Sequence, residues 1–196
     1  MRSLVIALVV AGLGLILFAG GCSSYNGFVD AEENVENAWS KVESAYQRRA
    51  DLIPNLVNTV KGVADFEQKT LTEVVNARAK ATSVNIDPSN ITPEQLQNFQ
   101  NAQSGLSQSL GRLLFVSENY PELKASANFR ELQTQLESTE NRIKVERDRF
   151  NDVATAYNKK VRRFPGNFFA TMFGFAEKAQ FQAQEGSENA PEVNFD

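Results

Sequence analysis

QRRADLIPNLV, residues 47–57, sets two arginines, an aspartate and a proline inside what otherwise reads as one long amphipathic helix. How that stretch is read decides the fold. Apolar residues around it recur at Val35, Trp39, Val42, Tyr46, Ile53, Leu56, Val60, Val63 and Val74, spaced as one helix face requires. Positions 42, 46, 49, 53, 56, 60 and 63 keep a 4-3 alternation straight through Pro54. A full break would reset that phase. The expectation is a single kinked helix over residues 28–81. Pro54 removes one backbone donor and frees the carbonyl of Ala50, one turn earlier.

Working outward, SVNIDPSNITPE (residues 83–94) reads as a loop that ends in a helix start. Thr92 is the N-cap, Pro93 takes the first helical position and Gln95 completes a capping box. The second helix runs to about Ser117, with Leu96, Phe99, Leu106, Leu110 and Leu113 as its stripe. Its other residues are mostly Gln, Asn and Ser, and between Gln95 and Ser117 the only charge is Arg112. That neutral face is either solvated or covered by another chain. Pro121 stops this helix. The third spans residues 128–163, with a heptad through Phe129, Leu132, Leu136, Thr139, Ile143, Glu146, Phe150, Val153, Tyr157, Lys160 and Phe164. A three-helix antiparallel bundle is the simplest way to bury these stripes.

Arg49 falls on the apolar stripe between Tyr46 and Ile53, so its guanidinium should point into the bundle. Arg48 and Asp51 flank it. Glu146 holds a seam position on the third helix, with Glu140 and Arg142 upstream. A buried charge is tolerated when paired and hydrogen-bonded, so a carboxylate, Glu146 first, is expected to face Arg49. The favoured reading is a polar layer that fixes helix register. The alternative is a small site in which Arg49 binds a carboxylate or phosphate bidentately, beside Asn55 and the carbonyl freed by Pro54. A hydrolase built on Asp51, Glu140 or Glu146 has least support, because nothing fixes the separation of those carboxylates.

The composition narrows the chemistry. The 196 residues contain no histidine and one cysteine, Cys22. Ser-His and Cys-His catalysis and an internal disulfide are thereby excluded, and no cysteine pair exists to hold zinc. No metal or cofactor is implied. The net charge of -4 provides no basic face, so nucleic acid is not an expected partner.

The N-terminus, MRSLVIALVVAGLGLILFAGGCSS, has one charge, Arg2, before Asp30. Its apolar run over residues 4–18 suits a signal peptide and is short of the about 20 residues of a spanning helix. Ala19, Gly20 and Gly21 lead into Cys22, which resembles a bacterial lipobox in which Cys22 is lipidated. An uncleaved signal-anchor helix is the other reading. Both tether the body at a bacterial membrane, facing the periplasm or exterior. Three regions follow: a signal or anchor (1–22), a bundle (25–176) and an acidic tail (177–196) expected to be disordered.

The stretch FPGNFFATMFGFAEKAQF contains six of the fourteen phenylalanines. Phe164, Phe168, Phe169, Phe173 and Phe175 could plug the bundle, receive a partner or insert at a membrane interface. With an unbroken first helix the chain runs out, back and out. The aromatic end then lies far from the tethering membrane, which favours a plug or a partner site, the plug first.

YNGFVDAEENVENAWSKVESAYQRRADLIPNLVNTVKG, then LKASANFRELQTQLESTENRIKVERDRFNDVATAYN, then the Phe-rich end, together resemble the bacterial LemA family over about residues 25–175. The resemblance implies an all-α, elongated bundle on an N-terminal membrane anchor, with no established biochemical activity. Cys22 departs from the usual anchor of that family. The QRRAD and TENRI blocks become two halves of one polar layer. The functional expectation is a non-catalytic scaffold for other envelope proteins. The alternative is a small-anion or peptide module centred on Arg48, Arg49 and Glu146.

Overall fold

A computed structural model describes residues 2–62 and 66–182. Over the first 22 residues it describes mainly the backbone, so the side chain of Cys22 lies outside the described residues. The described chain is all-helical. Helix α1 (Arg2–Lys61) is followed by α2 (Gln68–Ser83), a 3-10 turn (Pro88–Asn90), α3 (Pro93–Ser117), a short α4 (Pro121–Ala125), α5 (Ala127–Arg162) and α6 (Gly166–Phe173). Among the described residues no helix is long and apolar enough to cross a membrane.

Helix α1 is 60 residues long, about 90 Å at 1.5 Å per residue. It continues through Pro54, as the unbroken phase predicts, and Val35, Trp39, Val42, Tyr46, Ile53, Leu56 and Val60 are all buried. It does not continue to Ala81. The helix ends at Lys61, where the Gly62 amide donates to Thr59 O at 3.3 Å in a tightened last turn. Helix α2 then folds back. Its buried face, Thr70, Leu71, Val74 and Ala81, belongs to a new helix. The apolar phase at Val60 and Val63 hides this break, although Gly62 lies at it and Glu67 and Thr70 carry no apolar side chain where the stripe should continue.

That break changes the topology. Four long rods run out, back, out and back, in place of three. Helix α5 packs antiparallel along α1, joining Trp39 to Phe150 near one end and Arg49 to Glu140 further along. Helix α3 runs parallel to α1, with Phe99 against Trp39 and Tyr46. Its start is the expected capping box: the Gln95 amide donates to Thr92 Oγ1 at 3.2 Å, and the Thr92 amide donates to Gln95 Oε1 at 3.1 Å. Pro121 opens the one-turn α4.

The heptad of α5 holds as far as Phe150 and again at Tyr157, but slips at the positions around it. Val153 is only half-buried, Lys160 and Phe164 are exposed, and Ala154, Asn158 and Val161 take the core positions. A straight helix drifts by about 20° per heptad against a 3.5-residue repeat, so a strict a/d assignment fails after several turns.

Residues 177–182, read above as the start of a disordered tail, belong to the bundle. Gly174, at φ 83°, turns the chain out of α6, a left-handed conformation that glycine adopts without strain. The strap beyond it is clamped by two asparagines. Asn158 Nδ2 donates to Lys178 O and its Oδ1 accepts from the Lys178 amide. Asn151 makes the same pair of bonds with Phe181. Residues 183–196 lie outside the described residues.

Candidate functional site

The apolar interior falls into two parts. One is rich in aromatics and extends from Phe28 to Tyr46 on α1 and from Ile143 to Val161 on α5. The other is mainly aliphatic, from Ile53 to Val60 on α1 and from Phe129 to Leu136 on α5. Arg49 lies between them, 1% exposed. Its Nη1 donates to Ser107 Oγ at 2.8 Å and to Glu140 Oε1 at 2.7 Å. Its Nη2 donates to Gln103 Oε1 and, at 3.4 Å, to Gln103 O. The guanidinium carbon is 5.1 Å from the centre of the Tyr46 ring. Gln103 Nε2 in turn donates to Ala81 O at 3.2 Å. One hydrogen-bonded layer therefore ties α5, α1, α3 and α2 together.

Arg49 points inward as expected, but the carboxylate it meets is Glu140. Glu146 lies six residues along α5, about 9 Å on. It is buried and accepts from Arg142 Nε at 2.7 Å, leaving Oε2 without a partner among the described residues. The seam offered Glu146 because it follows heptad positions. Glu140 is adjacent to the seam residue Thr139, and Arg49 is long enough to reach it. Arg48, Asp51, Pro54 and Asn55 are exposed, on the side of α1 away from the layer, where Asp51 accepts from Gln47 Nε2 at 2.8 Å. The carboxylates of Asp51, Glu140 and Glu146 do not converge. No group of three His, Cys, Asp or Glu side chains among the described residues could hold a metal.

The carbonyl of Ala50, freed by Pro54, accepts a hydrogen bond from Arg78 Nε of α2 at 2.8 Å. The proline so becomes a docking point for the next helix. Truncating Arg78 to Ala leaves that carbonyl unpaired, at an expected cost of about 1–2 kcal/mol. In a Pro54→Ala background the restored amide can serve Ala50 O within α1, and the same truncation should cost clearly less. Urea denaturation of the four proteins measures this coupling. Equal costs in both backgrounds would sever Pro54 from Arg78.

Arg78, Gln103 and Ser107 were not singled out in the sequence. Only Gln103 left a signal there: it fills the gap in the α3 stripe between Phe99 and Leu106.

Above the layer, α3 and α5 both lean on α1 but stand apart. The space between them is a groove of about 890 Å³, open to solvent, with Tyr46 and Arg49 in its floor. The neutral face of α3, through Gln97, Gln100 and Ser107, lines one wall. Lys144, Arg147 and Asp148 line the other, and Phe181 and Gln182 of the strap contribute to the lining.

The strap carries the other buried cation among the described residues. Lys178 is buried and its Nζ donates to Ser89 O and, at 2.5 Å, to Glu32 Oε1. It also sits 5.5 Å over the ring of Tyr157. Burial, with Glu32 nearby as a smaller cause, pushes the Tyr157 hydroxyl above its ordinary value of 10.0. Burial likewise raises Tyr46, against the opposing pull of Arg147 and Arg49. A raised acid keeps its proton in the folded state after the unfolded chain has lost it. The two tyrosines therefore favour folding fully below pH 10.0 and progressively less above it. Denaturation midpoints should fall above pH ~10, and Tyr157→Phe should flatten that fall.

The aromatic end is divided. Phe169 is buried, Phe175 is half-buried against Phe28 at 5.1 Å, and Phe173 meets Tyr25 at 5.1 Å. Phe169 and Phe175 thus pack into the end of the bundle, whereas Phe173, for all its contact with Tyr25, remains 38% exposed. Phe164 and Phe168 face outward. The whole cluster lies beside the N-terminal stretch, not distal to it, because the break at Gly62 adds one more reversal.

The LemA family profile matches residues 38–195. The chain is 28% identical to Protein LemA of Metamycoplasma hominis over 154 residues, 79% of this chain and 67% of that protein. It is 27% identical to Magnetosome protein MamQ 2 of Paramagnetospirillum magneticum over 193 residues, 89% of this chain and 71% of that protein. Magnetosome protein MamQ of Magnetospirillum gryphiswaldense is 26% identical, over 80% of this chain and 64% of its own length.

Proposed function

The chain belongs to the LemA family, and from that membership we propose a membrane-tethered, non-catalytic bundle of the cell envelope that works by binding other envelope proteins. The observation that carries this reading is the groove between α3 and α5, together with the fate of Arg49 beneath it. Both Nη atoms of Arg49 are taken by partners from α3 and α5. An incoming anion would have to displace Glu140. Arg48 and Glu146, the other members of the anion-site reading, are not among the residues that line the groove. Arg49 then serves as a rigid floor, and the carboxamides of α3 serve as the contact surface. Carboxamides offer both donors and acceptors, which suits the backbone of an extended partner segment. The names of the relatives carry no catalytic activity.

A photo-crosslinking residue at Gln100, in the full chain in its native membrane, is expected to give a discrete protein adduct. Filling the groove with Lys144→Trp should abolish that adduct, and the same crosslinker at the exposed Glu137 should give none. Adducts that ignore the Lys144→Trp change, or that form equally at Glu137, would overturn the reading.

Attachment through the N-terminal apolar segment has two forms. Helix α1 has no break between Arg2 and the core residue Phe28, which supports a retained anchor helix over cleavage before Cys22. The intact mass of the native protein is expected to include residues 1–21. A chain starting at a lipid-modified Cys22 would reverse that choice while leaving the tether in place.

A further inference from the structure

Single exposed apolar residues are ordinary on a folded protein. A group of them on one short helix, rimmed by cations, is not. Phe164 is 88% exposed, Phe168 64% and Met172 56%, all on or beside α6. Lys159 and Lys160 in the last turn of α5 and Arg163 just after it line a hollow of about 420 Å³ together with Phe164. Lys160 Nζ donates to Gly27 O on α1, and Arg162 faces Glu177 at 3.7 Å. Lys159 and Arg163 have no ion-pair partner among the described residues.

The path of α1 says what this corner meets. A side chain at Gly21 would lie 3.4 Å from the Phe169 ring, so α6 packs directly beside the N-terminal stretch. Its apolar run ends at residue 18, three residues earlier, about 5 Å along the axis. No charged residue lies between Arg2 and Asp30. Whatever surface receives the apolar run passes within a turn of α6. Apolar side chains beside basic ones are the pattern of a segment seated in a headgroup layer, with the cations on anionic lipid.

We infer that this end of the bundle is a second membrane contact, in which Phe164, Phe168 and Met172 enter the boundary between headgroups and acyl chains and Lys159 and Arg163 bind the phosphates of anionic lipids. The inference rests on the N-terminal tether proposed above. It fixes the bundle at two points, so that the rods stand on the membrane and the groove is held at a set height.

The test uses the full chain reconstituted into phosphatidylcholine vesicles, with and without phosphatidylglycerol. Each vesicle set is prepared with lipids brominated on their acyl chains, which quench tryptophan on close approach. Phe164→Trp and Phe168→Trp are the probes, and both positions are exposed enough to leave the fold intact. Trp39, fully buried and about 20 Å along α1 from Tyr25, supplies an unquenched background. Phe115→Trp, exposed at the other end of the bundle, is the control. The added emission at 164 and 168 should fall by roughly half, with none of that loss at 115. In the phosphatidylglycerol vesicles, Lys159→Glu with Arg163→Glu should reverse most of the quenching. Protein that floats with the vesicles while 164 and 168 are quenched no more than 115 would overturn the second contact and leave the tether standing. Protein that fails to float would overturn the tether, and the inference with it. Quenching indifferent to the charge reversal would overturn the assignment of Lys159 and Arg163 to lipid phosphate.

Discussion

Arg49→Ala is expected to lower stability by about 3–4 kcal/mol, read as a lower urea midpoint with an unchanged slope. Several losses combine. The long side chain is fully buried, so its removal leaves a cavity between two cores that are otherwise packed. Gln103 Oε1 loses its donor in a buried position. The Glu140 pair adds less than a buried ion pair would, because that carboxylate is 45% exposed and screened by water. Glu140→Ala alone should accordingly cost about 1 kcal/mol. Arg49→Met keeps most of the volume without a charge, and should sit between wild type and Arg49→Ala, since well-packed apolar replacements of buried ions are tolerated. An Arg49→Ala protein as stable as wild type would mean that the layer ties nothing together.

Phe181→Ala carries the second large effect, again about 3–4 kcal/mol. The ring lies 6.0 Å from Trp39 in a stacked pair and 5.6 Å from Phe150 edge-on. The guanidinium of Arg147 sits 4.5 Å above its centre. Phe181 is thus the anchor of the strap and part of the lining of the groove. Its loss should release the strap end and admit water to Trp39. Because Trp39 is the only tryptophan, its emission should shift to the red as the thermal midpoint falls. An unshifted emission with an unchanged midpoint would show that the strap is held by its asparagine clamps alone.

Much of this was legible in the residues. The stripe of α1, the capping box at Thr92, the inward Arg49 and the carbonyl freed by Pro54 all follow from spacing and local chemistry, and the structure contains each of them. What spacing could not give was the partner of each group. The Ala50 carbonyl meets Arg78, and Arg49 meets Glu140, because of how α2 and α5 are placed against α1. That placement depends on the reversal at Gly62, which the continued phase at Val60 and Val63 concealed. The same reversal moves the aromatic end from the far end to the side of the N-terminal stretch. The slip of α5 after Phe150 is a separate matter of helix geometry. A heptad written out on paper does not drift, and an α-helix does.

The central claim is that Arg49 holds the bundle together while the groove above it does the binding. Photo-crosslinking from Gln100 in an Arg49→Met protein, kept well below its denaturation midpoint, tests it most directly. The account predicts a folded protein that forms the Gln100 adduct at the wild-type yield. A folded Arg49→Met protein that has lost the adduct would contradict it and make Arg49 the residue that holds the ligand.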